Sequence, residues 1–218
     1  LTNRHLVRPW LEEPRDRGLI AKGWKPRLFR LIVFFPSLRR PITLEPARFS
    51  REVDLALCRV RGEDARSLPP PLPLAEDAVP VSLGQTVGAV GFPAGEEGLL
   101  ARLDPRVLQR LARGKRSPEE ILRRVSQLGL VKPLATQGHI GDLSEQQIVY
   151  DAATTFGGSG SVLVDAEGRV IGVAFALMTE FIGSNFAVPV RYARELLRKE
   201  SGAAGAEDNS RELAARRR

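Results

Sequence analysis

From residue 134 to residue 190 the chain breaks into five short apolar runs separated by turn residues, a rhythm that leaves little room for helices of ordinary length. The runs are Leu134 to Ile140, Gln147 to Ala152, Ser161 to Val164, Val170 to Ala176 and Phe186 to Val190. Each carries β-branched residues, which strands favour, and Asp165-Ala166-Glu167-Gly168 has the make-up of a hairpin turn. Many short strands with Gly-rich turns predict an all-β barrel or sandwich. The same texture covers Leu28 to Phe35 and Val53 to Val60, interrupted by Pro36-Ser37 and Arg40-Pro41. Thr86 to Gly91 reads as a further strand, closed by Gly91-Phe92-Pro93-Ala94-Gly95.

Two segments depart from this pattern. Leu68-Pro69-Pro70-Pro71-Leu72-Pro73 supports neither a helix nor a central strand, because each proline lacks an amide donor and fixes its own φ. Residues 67–74 are therefore expected to link an N-terminal β unit, 1–66, to a C-terminal one, 75–190. Inside the second unit, Leu103, Val107, Leu108 and Leu111, then Ile121, Leu122, Val125 and Leu128, fall at helical spacing. Ser117-Pro118-Glu119-Glu120 has the cap, the proline and the acids of a helix start. Residues 103–130 thus predict a helical insertion. Tyr192, Leu196 and Leu197 predict a closing helix over 191–200, and the small, polar residues 201–218 predict a disordered tail.

Apolar residues make up 43% and charged residues 27% of the 218 residues, which fits a folded domain rather than a disordered or membrane-spanning chain. Apolar runs such as Leu31 to Phe35 are too short for a bilayer. A formal charge of +7 raises nucleic acid as a partner, but 28 of the 33 basic residues are Arg and they are spread from Arg4 to Arg218. A binding footprint would be concentrated on one face, so no nucleic-acid partner is expected. Cys58 is the only cysteine and permits no internal disulfide, which leaves the compartment open. It alternates within an apolar run and is expected in the core. Two distant histidines and one cysteine offer no metal cluster, and no Asp-x-Asp calcium loop is present, so neither a metal nor another cofactor is expected.

The strongest chemical signal is Gly157-Gly158-Ser159-Gly160-Ser161 ahead of a strand. Glycines let the backbone turn sharply around a nucleophilic hydroxyl and aim amide donors at an oxyanion; the amides of Gly157 and Ser159 are the candidate donors. A serine needs a base, and only His5 and His139 are present, both before Ser159. That rules out the order nucleophile, acid, histidine. The order Asp54, His139, Ser159 belongs to a fold of alternating helices and parallel strands, a texture this chain lacks. His5, Asp54 and Ser159 give the remaining order, histidine, acid, serine. Glu52 and Asp16 are other acids in range, but Asp54 stands directly before the Leu-Ala-Leu run.

At this point a family resemblance enters. Leu1-Thr2-Asn3-Arg4-His5 resembles the stretch around the catalytic histidine of bacterial trypsin-like and HtrA-type serine peptidases, and Val53-Asp54-Leu55-Ala56-Leu57 resembles their aspartate strand. Thr154 to Ser161 is similar to their nucleophile loop, Gly168 to Val173 to the strand after it, and Gly183 to Val190 to the end of such domains. The resemblance implies two six-stranded-type antiparallel β-barrels of the chymotrypsin kind, with the site in the cleft between them. It also implies that the first barrel is incomplete here, short of about 15 to 25 residues at typical strand lengths, and that any targeting segment lies upstream. The location stays open, with a bacterial cell envelope or periplasm favoured.

Carried over, Ser159 attacks the scissile carbonyl, His5 moves the proton and Asp54 orients the imidazole. His139 is then expected to be structural. The resemblance also places Ala153 where trypsin carries its pocket carboxylate, with Phe175, Ala176 and Leu177 along the pocket wall. Without a buried charge the pocket should reject Arg and Lys and take a small or medium apolar residue before the cut bond. Ser161 and Val162 stand where the family often has Gly and Pro, and Gly158 replaces the Asp that the pancreatic branch pairs with a new N-terminus. The expected function is serine endopeptidase on protein or peptide substrates; the competing expectation is an inactive scaffold of the same fold that binds peptides or protein partners.

Overall fold

The computed structural model describes residues 1–11, 14–60, 62–111, 113, 117–177 and 184–200. The tail expected over 201–218 lies outside these residues, as does the side chain of Leu177.

The chain opens with two short helices, α1 (Arg4–Val7) and α2 (Pro14–Ala21), and a 3₁₀ turn between them, Pro9–Leu11. A three-stranded antiparallel sheet follows, β1 (Ile32–Val33), β2 (Ile42–Phe49) and β3 (Ala56–Val60), in the order β1-β2-β3. Only two residues of the apolar run at 28–35 enter a strand, while β2 starts directly after Pro41 and runs through Pro46, where no strand was expected. Pro46 is accommodated because the β2–β3 register shifts between Pro46 and Arg48, and a bulge is one place where a strand tolerates a missing amide donor.

The second unit is a closed six-stranded antiparallel barrel. Its strands are β4 (Thr86–Gly91), β5 (Leu134–Leu143), β6 (Ile148–Tyr150), β7 (Val162–Val164), β8 (Val170–Leu177) and β9 (Asn185–Pro189). They run in the order β4-β5-β6-β9-β8-β7, and β4 pairs with β7 to close the ring. The fold is thus all-β, with one complete barrel, one partial sheet and a C-terminal helix, α6 (190–200). Leu74, at the end of the proline-rich segment, is anchored to the barrel by a parallel bridge to Val170.

Between β4 and β5 the chain forms α3 (Gly95–Leu100), α4 (Pro105–Leu111) and α5 (Pro118–Gln127). These helices share a small apolar core, Leu99, Leu111, Val125 and Val131, with Phe34 of the first unit and Phe92 packed against it. Polar ties reinforce the contact: Ser126 Oγ donates to the Leu38 carbonyl at 3.0 Å and Arg39 donates to the Gln127 carbonyl at 3.1 Å.

The main core fills the barrel and extends beyond it. Val53 and Leu55, from the turn before β3, belong to the same cluster as Ile140, Ile148, Tyr150 and Leu163. Burying a side chain such as Leu55 contributes about 1.5–3 kcal/mol, so the turn that carries Asp54 is held against the barrel from both sides. Helix α6 adds Tyr192, Ala193 and Leu196 to that core. Its Glu200 pairs with Arg48 and Arg59 of the first sheet.

Candidate active site

Asp54 sits in the tight turn between β2 and β3. Ser50 Oγ accepts from the amides of Glu52 and Val53, both at 3.3 Å, and the Ser50 amide donates to the Leu55 carbonyl at 3.0 Å. The N-terminal segment is stitched to the same turn. Thr2 and Ala56 exchange two backbone hydrogen bonds of 2.9 and 2.7 Å, Asn3 Nδ2 donates to the Asp54 carbonyl at 2.9 Å, and Arg4 donates to the Ser50 carbonyl at 3.0 Å. Arg8 lies 3.7 Å from the ring centroid of Phe49, which pins the end of α1 to β2.

These ties set His5 against Asp54 twice. The His5 amide donates to Asp54 Oδ1 at 3.0 Å, and ring Nδ1 lies 2.5 Å from Oδ2. With Nδ1 engaged by a carboxylate, Nε2 is the ring nitrogen left for a second partner. Burial pushes the Asp54 carboxyl up, but the side-chain and backbone hydrogen bonds from His5 and the charges of His5 and Arg4 outweigh it and hold the group below its ordinary value.

Ser159 sits in a loop shaped by left-handed glycines. Gly157 and Gly160 each have φ +83°, a region other residues rarely adopt. Gly158 donates to the Thr155 carbonyl at 3.1 Å, Ser161 to the Gly158 carbonyl at 3.0 Å and Gly160 to the Ala174 carbonyl at 2.9 Å. Among the described residues the amides of Gly157 and Ser159 have no hydrogen-bond acceptor. The loop lies beside α1, since a Cβ added at Gly160 would meet Thr2 Oγ1 at 3.2 Å and Leu6 Cδ1 at 3.7 Å. Among the described residues the Ser159 hydroxyl donates its hydrogen bond, at 3.5 Å, to the carbonyl of Phe175 rather than to His5.

The start of the helical insertion backs this loop. Ala94 donates to the Phe156 carbonyl at 2.7 Å, and a Cβ at Gly157 would fall 2.7 Å from the Gly95 amide nitrogen. Ala94 has φ 57°, the only positive φ of a non-glycine residue among those described.

A cavity of about 230 Å³ opens beside Ser159, lined by Tyr150, residues 154–159 and residues 174–176. Phe175 and Ala176 are in its wall, and Phe175 also packs on Phe186 with ring centroids 6.3 Å apart. Ala153 is not in the lining: the chain alternates there, so Ala152 is buried, Ala153 is exposed, and Thr154 takes the place in the wall. Tyr150 and Thr154 were missed from the sequence. The period-2 pattern of β6, with Ile148 and Tyr150 both buried, was the signal that could have found Tyr150.

His139 lies on β5 with its side chain exposed; its amide bonds Asp151 Oδ1 and its ring nitrogen is 3.9 Å from Asp151 Oδ2. Cys58 is half-buried in β3, and burial pushes its thiol up. Among the described residues no group of three or more His, Cys, Asp or Glu is placed to hold a metal ion, and no helix is long and apolar enough to cross a membrane.

The profile of the trypsin-like peptidase domain matches residues 1–173. No curated protein matches the chain. Among solved structures, a serine endoprotease from Yersinia pestis is similar with a TM-score of 0.58 at 18% identity, over 91% of this chain and 52% of that one. The chain therefore spans about half the length of the Yersinia protein. The Rv3671c protease of Mycobacterium tuberculosis H37Rv in its inactive form is also similar, with a TM-score of 0.47 at 20% identity, over 73% of this chain and 68% of that one. With the family profile running from the His5 segment through the Ser159 loop, the chain belongs to the trypsin-like peptidase family, a family of serine-type endopeptidases.

Proposed function

We propose that this chain cuts peptide bonds as a serine endopeptidase through His5, Asp54 and Ser159. The observation that carries the proposal is the double attachment of His5 to Asp54, through its amide and its Nδ1, on a segment that also touches the Ser159 loop. In the first step the Ser159 oxygen bonds to the scissile carbonyl carbon and its proton passes to His5 Nε2, while Asp54 stabilises the imidazolium. The carbonyl oxygen becomes an oxyanion facing the amides of Gly157 and Ser159. Collapse expels the amine, which takes the proton from His5 and leaves an acyl group on Ser159. Water, deprotonated by His5, then releases the acid and restores the hydroxyl. Before the first step the hydroxyl leaves the Phe175 carbonyl and turns to His5.

The cavity beside Ser159 receives the side chain before the cut bond. It carries no Asp, Glu, Lys, Arg or His among its described lining residues, so an Arg or Lys entering it would lose its hydration without gaining a charged partner. A neutral side chain of small or medium size with an apolar body is the preferred occupant.

A second reading is a scaffold that binds peptides without turnover, favoured by the Ser159 contact with Phe175. Hydrolysis of quenched fluorescent peptides separates the two. Catalysis requires turnover that Ser159→Ala abolishes and His5→Ala reduces by roughly 10³-fold or more; binding of the same peptides by folded protein with no cleavage supports the scaffold.

A further inference from the structure

The wall of the cavity beside Ser159 holds a polar group that the protein leaves unsatisfied. Tyr150 is 1% exposed and lines that cavity, yet among the described residues none supplies a hydrogen-bond partner to its hydroxyl. The oxygen is not sealed off either: the buried side-chain atoms with neither partner nor solvent are Asn3 Oδ1 and Arg4 Nε. The hydroxyl therefore keeps part of the little surface that Tyr150 exposes, on a residue that lines the cavity. Burial pushes the phenol up to about 12, which keeps it a neutral donor.

A substrate side chain entering the cavity would take the place of solvent beside this hydroxyl. A hydrocarbon returns no bond in exchange and leaves a buried donor unpaired, whereas a side chain ending in an oxygen restores the bond. Cationic ammonium and guanidinium groups offer no acceptor, and a carboxylate would enter without a balancing cation, since no Lys, Arg or His is among the described residues that line the cavity. Building on the triad reading, we propose that Tyr150 is the specificity-determining residue of this pocket. It donates a hydrogen bond to an uncharged substrate side chain with an oxygen acceptor, so that glutamine or threonine before the cut bond is preferred to a hydrocarbon or thioether side chain of similar shape.

Peptides identical except for the residue before the cut bond, Gln against Met and Thr against Val, test this with the full chain. The oxygen-bearing member is expected to have the higher kcat/KM by about fivefold in at least one pair, and Tyr150→Phe should bring that ratio to about one. Wild-type ratios at or below one in both pairs, or a preference that persists in Tyr150→Phe, overturn the assignment. If Tyr150→Phe does not fold, the wild-type ratios decide alone. Fluorophosphonate labelling of wild-type Ser159 keeps the two readings apart. Labelled protein with ratios near one removes the role of Tyr150 and leaves the triad standing; protein that takes no label and cleaves no peptide removes both.

Discussion

Asp54 is held by more partners than any other side chain of the site. Its two carboxylate oxygens face the His5 amide and ring, and its carbonyl takes the Asn3 amide group. Asn3 is fully buried, so Asn3→Ala leaves the Asp54 carbonyl without its donor and should destabilise the fold by about 1–3 kcal/mol, read from urea unfolding. Asp54→Asn preserves the shape but disfavours the charged imidazole, so kcat should fall roughly 10⁴-fold, and the unfolding midpoint at neutral pH should drop as well because the carboxylate's contribution is lost. Asp54 and Asp165 both lie below the ordinary carboxylate value when folded. For Asp165, burial raises it, and the side-chain and backbone bonds and charge of Arg169, with the Glu167 amide, lower it further. A depressed folded value means that their stabilisation is present above the unfolded value of about 3.9 and is lost as pH falls through the folded values. Stability measured against pH should therefore drop below about pH 4, and Asp165→Asn should flatten part of that drop. At this scale the His5, Asp54 and Ser159 segments were legible because each carries a distinctive local string. On the cavity wall Phe175 and Ala176 were read but the opposite side was not, because whether Ala153 or Thr154 faces inward depends on a one-residue alternation after β6 that the glycine-rich loop then breaks.

Among the elements, the start of α5 was written plainly in the chain. Ser117 Oγ accepts from the Glu120 amide and Glu120 accepts from the Ser117 amide, a full capping box with Pro118 in the first turn. Ser117→Ala should cost about 1 kcal/mol, seen as a lower melting temperature with the cavity chemistry intact. Strand β4 was equally clear, bounded by Gln85 and the turn after Gly91. Strand β2 was not, because Pro46 reads as a breaker until the bulge opposite Cys58 is known. Helix α1 has only four residues, with no side-chain cap, too little for periodicity to register; it is held by its contacts with the first sheet. The nucleophile loop is the element with least tolerance. Gly157→Ala meets both a left-handed φ and the Gly95 amide at 2.7 Å, so it should lower kcat/KM far more than it lowers secondary-structure content measured by circular dichroism.

Across the whole molecule, the partial sheet and the barrel are bound by one apolar cluster. Leu55, wholly buried, and Val53 enter the barrel core from the turn that bears Asp54, while Glu200 of α6 reaches back to Arg48 and Arg59. Leu55→Ala should cost about 2–5 kcal/mol and lower both units together in one cooperative denaturant transition, since the same side chain belongs to both. The order of the pieces was readable from the strand rhythm; their mutual packing was not, because it rests on two residues whose inward direction only the folded turn defines. On the proposed triad, this shared core presents His5 and Ser159 to one another across a working site. Intact-mass spectrometry after exposure to a fluorophosphonate reads that pairing. A single phosphonyl adduct that maps to Ser159 is expected, absent from Ser159→Ala and much slower to form in His5→Ala; folded wild-type protein that gains no mass, or gains it elsewhere, rules the triad out.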